Sequence, residues 1–430
     1  MSQKTKISTE SYKGVRDFYP EEMFVQNYIF ETWKNVVESF GYVEYNASIL
    51  EPAELYRAKS GEEIVNEQTY TFTDRGDREV TLRPEMTPTV ARMVAAKSQD
   101  LSFPLRWYSI PNLFRYEKPQ RGRLREHWQL NVDMFGAENS DADTEIIQVA
   151  HAIMKKFGAQ DSDFVIRINS RKLMNDIYKH FGLTEDESYK LSKIIDKKEK
   201  ISEDAFLAAV TECVGTKASE IIRTVESGER VFETLESDNS NGAYLISLIE
   251  ALASVGIKNV MYEPTLMRGF DYYTGIVFEV FDTHPDNNRS VFGGGRYDDL
   301  LDIFDSRKIP AVGFGAGDVT ARDFLETHKL LPTYRATTDL YIAVLDPSYM
   351  SNARALAHAL QTEGVRVAID VSGKKVGDQI KIANRQKIPY VIAIGENEIK
   401  SDMYVLKRME SGEEMKKDIA GIVDEIKKAK

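Results

Sequence analysis

The sequence predicts an α+β protein in two parts, and three stretches predict it. Residues 105–136 read as two strands joined by a basic loop, hence an antiparallel hairpin. Residues 170–256 read as mostly helical and strongly charged. Residues 339–395 alternate strand and helix as βαβαβ, a small parallel or mixed sheet of its own. A linker of low apolar content at 328–338 divides the chain into domains 1–330, with the helical block inserted at about 170–256, and 331–430.

The hairpin rests on parity. Arg125, His127, Gln129, Asn131 and Asp133 are polar, and Trp128, Leu130, Val132 and Met134 between them are apolar. Strict alternation puts one face in a core and leaves the other as a row of hydrogen-bonding groups. The preceding run, Leu105–Arg115, is rich in aromatic and β-branched residues, and the loop 116–124 holds Pro119, Gly122 and several cations. A turn centred on Gln120 would set Arg115 opposite Arg125, on the polar face with Gln129 and Asp133.

The other elements follow in order. Apolar spacing through Phe24, Tyr28, Trp33, Val36 and Val37 predicts a helix over 21–40 that stops at Gly41. A strand and a short helix follow in 41–61. Residues 69–73 and 79–83 read as strands around an Asp74–Asp77 turn. Thr87 and Pro88 read as the N-cap and first residue of a helix running to about Lys97. A helix over 141–157 and a strand over 164–168 precede the charged block. Strands resume near Lys258. The runs FGGGRYDDLL (292–301) and PAVGFGAGDV (310–319) read as glycine-rich turns that let backbone approach a ligand. GFGAGD has Asp318 where a dinucleotide fingerprint needs its third glycine, which disfavours a nucleotide-dependent oxidoreductase.

Composition narrows the function. The 430 residues carry a formal net charge of −12, so any nucleic acid must be met by local basic patches. One cysteine, Cys213, rules out a disulfide framework or a cysteine-rich zinc site. No GxxxxGK[ST] loop is present, so a nucleotide would be held by another architecture. There is no cleavable signal pattern and no long apolar run, from which a cytoplasmic protein is expected.

Several strings carry a resemblance. FRYE at Phe114–Glu117 resembles motif 2 of the class II aminoacyl-tRNA synthetases. Its continuation RGRLREHWQLNVDMFG, together with TLRPEMT (81–87) and RGFDYYTG (268–275), resembles the histidyl-tRNA synthetase family. Residues 41–61 resemble motif 1, the dimerisation element, with Ser48 where the family usually has proline. PAVGFGAG resembles motif 3, but the family's following arginine falls on Thr320. Arg322 lies two positions on, about 200° further round a helix, and so points elsewhere.

The resemblance implies a class II antiparallel catalytic core with a helical insertion that leans on the tRNA acceptor arm, and a C-terminal anticodon-binding domain. It implies a homodimer that consumes ATP and L-histidine and charges tRNA(His), with Mg2+ carried by ATP and no dedicated protein metal site. Arg115 and Arg268 would flank the α-phosphate, and Arg121 would steady the outer phosphates. Glu85 and Thr87, with Met86 between them, and Gln129 would hold the α-ammonium. Asp133 and Tyr273 would read the imidazole, with Tyr272 lining the pocket. In the last domain Lys374, Lys375, Lys381 and Arg385 would meet RNA phosphates, although the same cations suit a plain solvated helix face. The competing reading within the family is the silent paralogue that regulates ATP phosphoribosyltransferase. Such chains typically lack both the RG-x-DYY string and the last domain, and this sequence has both.

Overall fold

A computed structural model describes residues 7–57, 68–198, 201–228, 239–267, 272–304 and 307–429. The chain divides into two units, Met1–Pro332 and Thr333–Lys430.

The first unit contributes strands β1 (Val43–Glu44), β2 (Leu50–Pro52), β3 (Tyr70–Thr73), β4 (Glu79–Leu82), β5 (Leu105–Ser109), β6 (Asn112–Phe114), β7 (Glu126–Phe135), β8 (Phe164–Ser170), β9 (Val260–Tyr262), β10 (Ile276–Asp282), β11 (Arg289–Arg296) and β12 (Ala311–Gly317). The main sheet runs β1-β5-β7-β12-β11-β10-β8-β9, with β6 also pairing β7. Its pairs are antiparallel except β1 with β5 and β8 with β9. β2, β4 and β3 form a small separate sheet.

β7 is the strand that parity predicts. Its partner differs from the expected unbroken strand: β5 stops at Ser109 and β6 resumes at Asn112. Pro111 sits in the gap and has no N–H for the ladder, but its carbonyl still accepts from Gln129 N at 3.0 Å. Both pieces keep one register, with Ser109 opposite Asn131 and Asn112 opposite Trp128. Arg115 N–H then donates to Arg125 O at 2.9 Å, so these two residues face each other.

The two faces of β7 have different fates. Leu130, Val132 and Met134 enter a large core with Ile29, Trp33 and Val37 of helix Pro20–Ser39 and Ile146, Ala150 and Ile153 of helix Ser140–Lys156. Each Leu, Ile, Val or Met side chain among them, removed from water, contributes about 1.5–3 kcal/mol. On the opposite face Phe135 joins a second core with Val90, Ala91 and Val94 of helix Thr87–Ala96 and with Tyr272, Tyr273 and Tyr297. Gln129, Asn131 and Asp133 share that face with Phe135, because successive side chains alternate.

Two local expectations are overturned. Thr87 is the first helical residue and Met86 holds the N-cap position with no side-chain cap bond. Met86 already has αR angles (φ −104°, ψ −23°), so the chain turns one residue earlier than the Thr-Pro pair suggests. The glycine-rich runs are strands rather than turns: β11 and β12 lie side by side in the middle of the sheet. Their glycines answer to close packing, since a Cβ on Gly294 would collide with Gly313 O and one on Gly295 would lie 2.5 Å from Ile276 O. Glycine runs signal close approach, and the signal is the same whether the neighbour is a ligand or the next strand.

The charged block is helical in its described parts: Arg171–His180, Glu185–Ile195, Glu203–Val214, Ala218–Val225 and Ser240–Ser254. Ser170, Thr184, Ser202 and Asn239 cap four of these helices with side-chain oxygens.

In the second unit β13 (Leu340–Val344), β14 (Val367–Ile369), β15 (Tyr390–Ile394), β16 (Tyr404–Arg408) and β17 (Glu414–Lys417) form a mixed sheet ordered β14-β13-β15-β16-β17. β13 is parallel to β14 and β15, and the last two strands add antiparallel pairs. Helices Met350–Thr362 and Ile419–Lys428 pack into one core through Leu356, Leu360, Ile422 and Ile426. The sequence reading covers the parallel part and misses the β16–β17 hairpin, whose strands are half polar.

Candidate active site

The polar face of β7 opens on a cavity of about 120 Å³. It is lined by Glu85 from the turn before helix Thr87–Ala96 and Thr87 from its first position, Arg115 from the end of the hairpin's first arm, Gln129, Asn131 and Asp133 from β7, and Tyr272, Tyr273 and Tyr297. Gly313 and Gly315 of β12 lie beside β7 in register with Asp133 and Asn131. A Cβ on Gly313 would collide with Asp133 Oδ1, and one on Gly315 would stand 2.8 Å from Gln129 Cδ. The glycines therefore leave the polar side chains room to lie over the sheet.

Charge is distributed unevenly. At one end Arg115 is held by Nε donating to Pro84 O at 2.9 Å, with Glu117 Oε1 3.9 Å from Nη1. The neighbouring His127 is pushed down to about 3 by burial and by Arg115 and Arg16, so it stays neutral and the positive charge here rests on arginine. At the other end Asp133 is buried. Tyr297 OH donates to its Oδ1, while Oδ2 has no hydrogen-bond partner among the described residues. Burial pushes the Asp133 carboxyl up to about 7, against the opposing hydrogen bond from Tyr297. A buried acceptor without a partner is costly unless a ligand completes it. Arg125 does not pair with Asp133; it reaches Glu117 O at 3.1 Å and Tyr12 OH at 3.1 Å.

The aromatic wall is continuous. Tyr272 packs against Tyr273 at 4.9 Å and Tyr297 at 5.7 Å between ring centroids. Tyr272 OH donates to Glu85 Oε2 at 3.4 Å. Arg171 donates to Met267 O at 3.2 Å and Tyr273 O at 2.9 Å, pinning the chain on both sides of residues 268–271.

Of the residues singled out in the sequence, Glu85, Thr87, Arg115, Gln129, Asp133, Tyr272 and Tyr273 come together on this cavity. Arg268 lies outside the described residues. Met86 is fully buried and does not line the cavity. Arg121 does not line it either: its guanidinium donates to Asp286 O at 3.0 Å and Thr327 Oγ1 at 3.3 Å, 4.0 Å from Asp323. Thr320 Oγ1 donates to Val291 O at 2.6 Å and Arg322 pairs with Glu326 at 2.8 Å, in keeping with a departure from motif 3. Tyr297 and Asn131 are polar lining residues to which the sequence reading gave no role. GGRYD gives a glycine signal but nothing that ties its tyrosine to Asp133.

A family model described as histidyl-tRNA synthetase matches residues 14–319, and one described as an anticodon binding domain matches residues 339–429. The chain belongs to the histidyl-tRNA synthetase family. A histidine–tRNA ligase of Leptospira biflexa is 43% identical over 415 residues, 94% of each chain. One of Thermoplasma volcanium is 36% identical over 423 residues, covering 95% of this chain and 96% of that one. The crystal structure of histidyl-tRNA synthetase from Nostoc sp. PCC 7120 shares the fold, with a TM-score of 0.84 at 24% identity over 99% of this chain and all of that one. The α+β synthetase fold is thus followed by an anticodon-binding fold, and the cavity lies within the synthetase part.

Proposed function

We propose that this chain is an ATP-dependent ligase that activates L-histidine and transfers it to tRNA(His). In the first step a histidine carboxylate oxygen attacks the α-phosphorus of ATP. The bond to the bridging oxygen breaks, giving histidyl-adenylate and pyrophosphate. In the second, the terminal ribose hydroxyl of the tRNA attacks the histidyl carbonyl and AMP departs. Phosphoryl transfer needs positioning and positive charge more than covalent catalysis. Arg115 supplies such charge at the cavity, and Arg268 is assigned the same role.

The observation that carries the substrate is Oδ2 of Asp133, which has no hydrogen-bond partner among the described residues. Asp133 lies four residues from Gln129 on one strand face, and the rise sets their Cα atoms roughly 13 Å apart. That span suits one amino acid held at both ends, the α-ammonium by Glu85, Thr87 and Gln129 and an imidazole N–H by Asp133. A pocket of polar groups rejects apolar competitors by leaving its own groups unpaired. Magnesium is expected to arrive with ATP. The unit Thr333–Lys430 is assigned to the anticodon, with exposed Lys374, Lys375, Lys381 and Arg385 toward phosphates. We assign a homodimer joined through the motif 1 region and place the enzyme in the cytoplasm, where tRNA is charged. No helix among the described residues is long and apolar enough to cross a membrane.

Amino-acid-dependent ATP–pyrophosphate exchange, run with every amino acid, tests the assignment. Exchange is expected with histidine alone. Exchange with a different amino acid, or with none, as a regulatory paralogue would give, overturns it.

A further inference from the structure

Tyr297 is the wall residue that touches Asp133, and the residues either side of it are tied down. Arg296 O accepts from Thr274 N at 2.7 Å, and Thr274 Oγ1 accepts from Asp298 N at 3.0 Å. Thr274 directly follows Tyr272 and Tyr273, so all three tyrosines share one anchor. The Arg296 side chain in turn reaches Asp143 Oδ1 at 2.7 Å through Nη2 and 2.9 Å through Nε, and Ala137 O at 2.9 Å through Nη1. Asp143, in the first turn of helix Ser140–Lys156, is wholly buried. Its other oxygen accepts from Tyr244 OH, on helix Ser240–Ser254 of the insertion. Burial pushes the Asp143 carboxyl up, and Arg296 and Tyr244 only partly offset this.

A buried ion pair adds little net stability over apolar packing of the same volume. Here its five-donor fork fixes a direction: it holds the end of β11 against helix Ser140–Lys156 at the point where Tyr297 leaves the sheet. We propose that Tyr244, acting through Asp143 and Arg296, is a positioning residue that sets the Tyr297 wall of the histidine pocket from the helical insertion. This rests on reading the cavity as the histidine site. It makes the placement of the insertion a determinant of amino-acid binding, although Tyr244 touches no substrate.

The test is a double-mutant cycle in full-length protein, read by histidine-dependent ATP–pyrophosphate exchange. Tyr244→Phe removes one hydroxyl and keeps the ring. It is expected to raise KM for histidine about three- to tenfold while KM for ATP and kcat stay within about twofold. In a Tyr297→Phe background the same change should add nothing, because its route to the pocket is already cut. Unchanged histidine KM, an equal rise in both KM values, or full additivity with Tyr297→Phe each overturns the proposal. Should Tyr244→Phe be too unstable to assay, Arg296→Lys, which keeps the charge and loses the fork, takes its place in the cycle with the same criteria. Parent protein without histidine-dependent exchange would defeat the reading of the cavity itself, a result separate from any behaviour of the variants.

Discussion

The hydroxyl of Tyr297 donates to Oδ1 of Asp133, and β12 lies between β7, which carries Asp133, and β11, which Tyr297 directly follows. The contact exists because Gly313, opposite Asp133 in register, has no Cβ to block the carboxylate. One oxygen of a buried acid is thereby satisfied from within the fold, and the other has no partner among the described residues.

This burial makes Asp133 a pH-sensitive element. Its carboxyl is raised to about 7 in the folded chain, whereas an unfolded aspartate titrates near about 4. The stability that comes from keeping the proton is fully present below about 4 and is lost as pH rises through about 7. Melting temperature of the parent should therefore decline from pH 5 to pH 8 through this group. Asp133→Asn cannot ionise and should flatten the decline, by an amount on the order of a few kcal/mol at pH 8. Differential scanning calorimetry of both proteins across that range checks it; parallel profiles would remove Asp133 as the cause.

Arg121 is held at the surface by one carbonyl, one hydroxyl and a distant carboxylate, all exchangeable for phosphate oxygens. Arg121→Ala should raise KM for ATP at least about tenfold, the scale of one charge-assisted hydrogen bond, with histidine KM unchanged. Arg322→Ala, which breaks the pair with Glu326, should leave both alone. The opposite ranking of the two variants would mean that helix Asp318–Thr327 supplies the phosphate cation after all.

Arg268 precedes Gly269 in the string most particular to the family. Arg268→Ala should slow adenylate formation at least about 100-fold in single-turnover measurements, as for a lost charge-stabilising donor, with little change in melting temperature. Near-parental adenylation would show that the α-phosphate is met by other groups.

A chain ending at Pro332 loses the second unit with its separate core and keeps every assigned catalytic residue. It should retain histidine-dependent exchange and charge tRNA poorly. Charging by the shortened protein at the full-length rate would refute the anticodon assignment.

What the sequence determined by itself is whatever depends on neighbours in the chain. The two faces of β7 were legible because alternation is a property of consecutive residues, and it set Gln129 and Asp133 on one side before any fold was known. The insertion helices were legible through local spacing, and their caps lie within three residues of the groups they bond. The family strings added expected roles for Glu85, Arg115 and Tyr273, which stand as proposals. Tertiary structure alone decided the rest. Tyr297 meets Asp133 across 164 residues of chain, and Tyr244 meets Asp143 across 101. No periodicity spans such separations. The glycines of β11 and β12 looked like turns because a missing Cβ says only that something comes close. The sheet decided that the something is Gly313 O, Asp133 and Gln129. The resemblance gave Arg121 only the outer phosphates; its resting contacts with Asp286 and helix Asp318–Thr327 are tertiary, since a long side chain settles wherever folded neighbours offer acceptors.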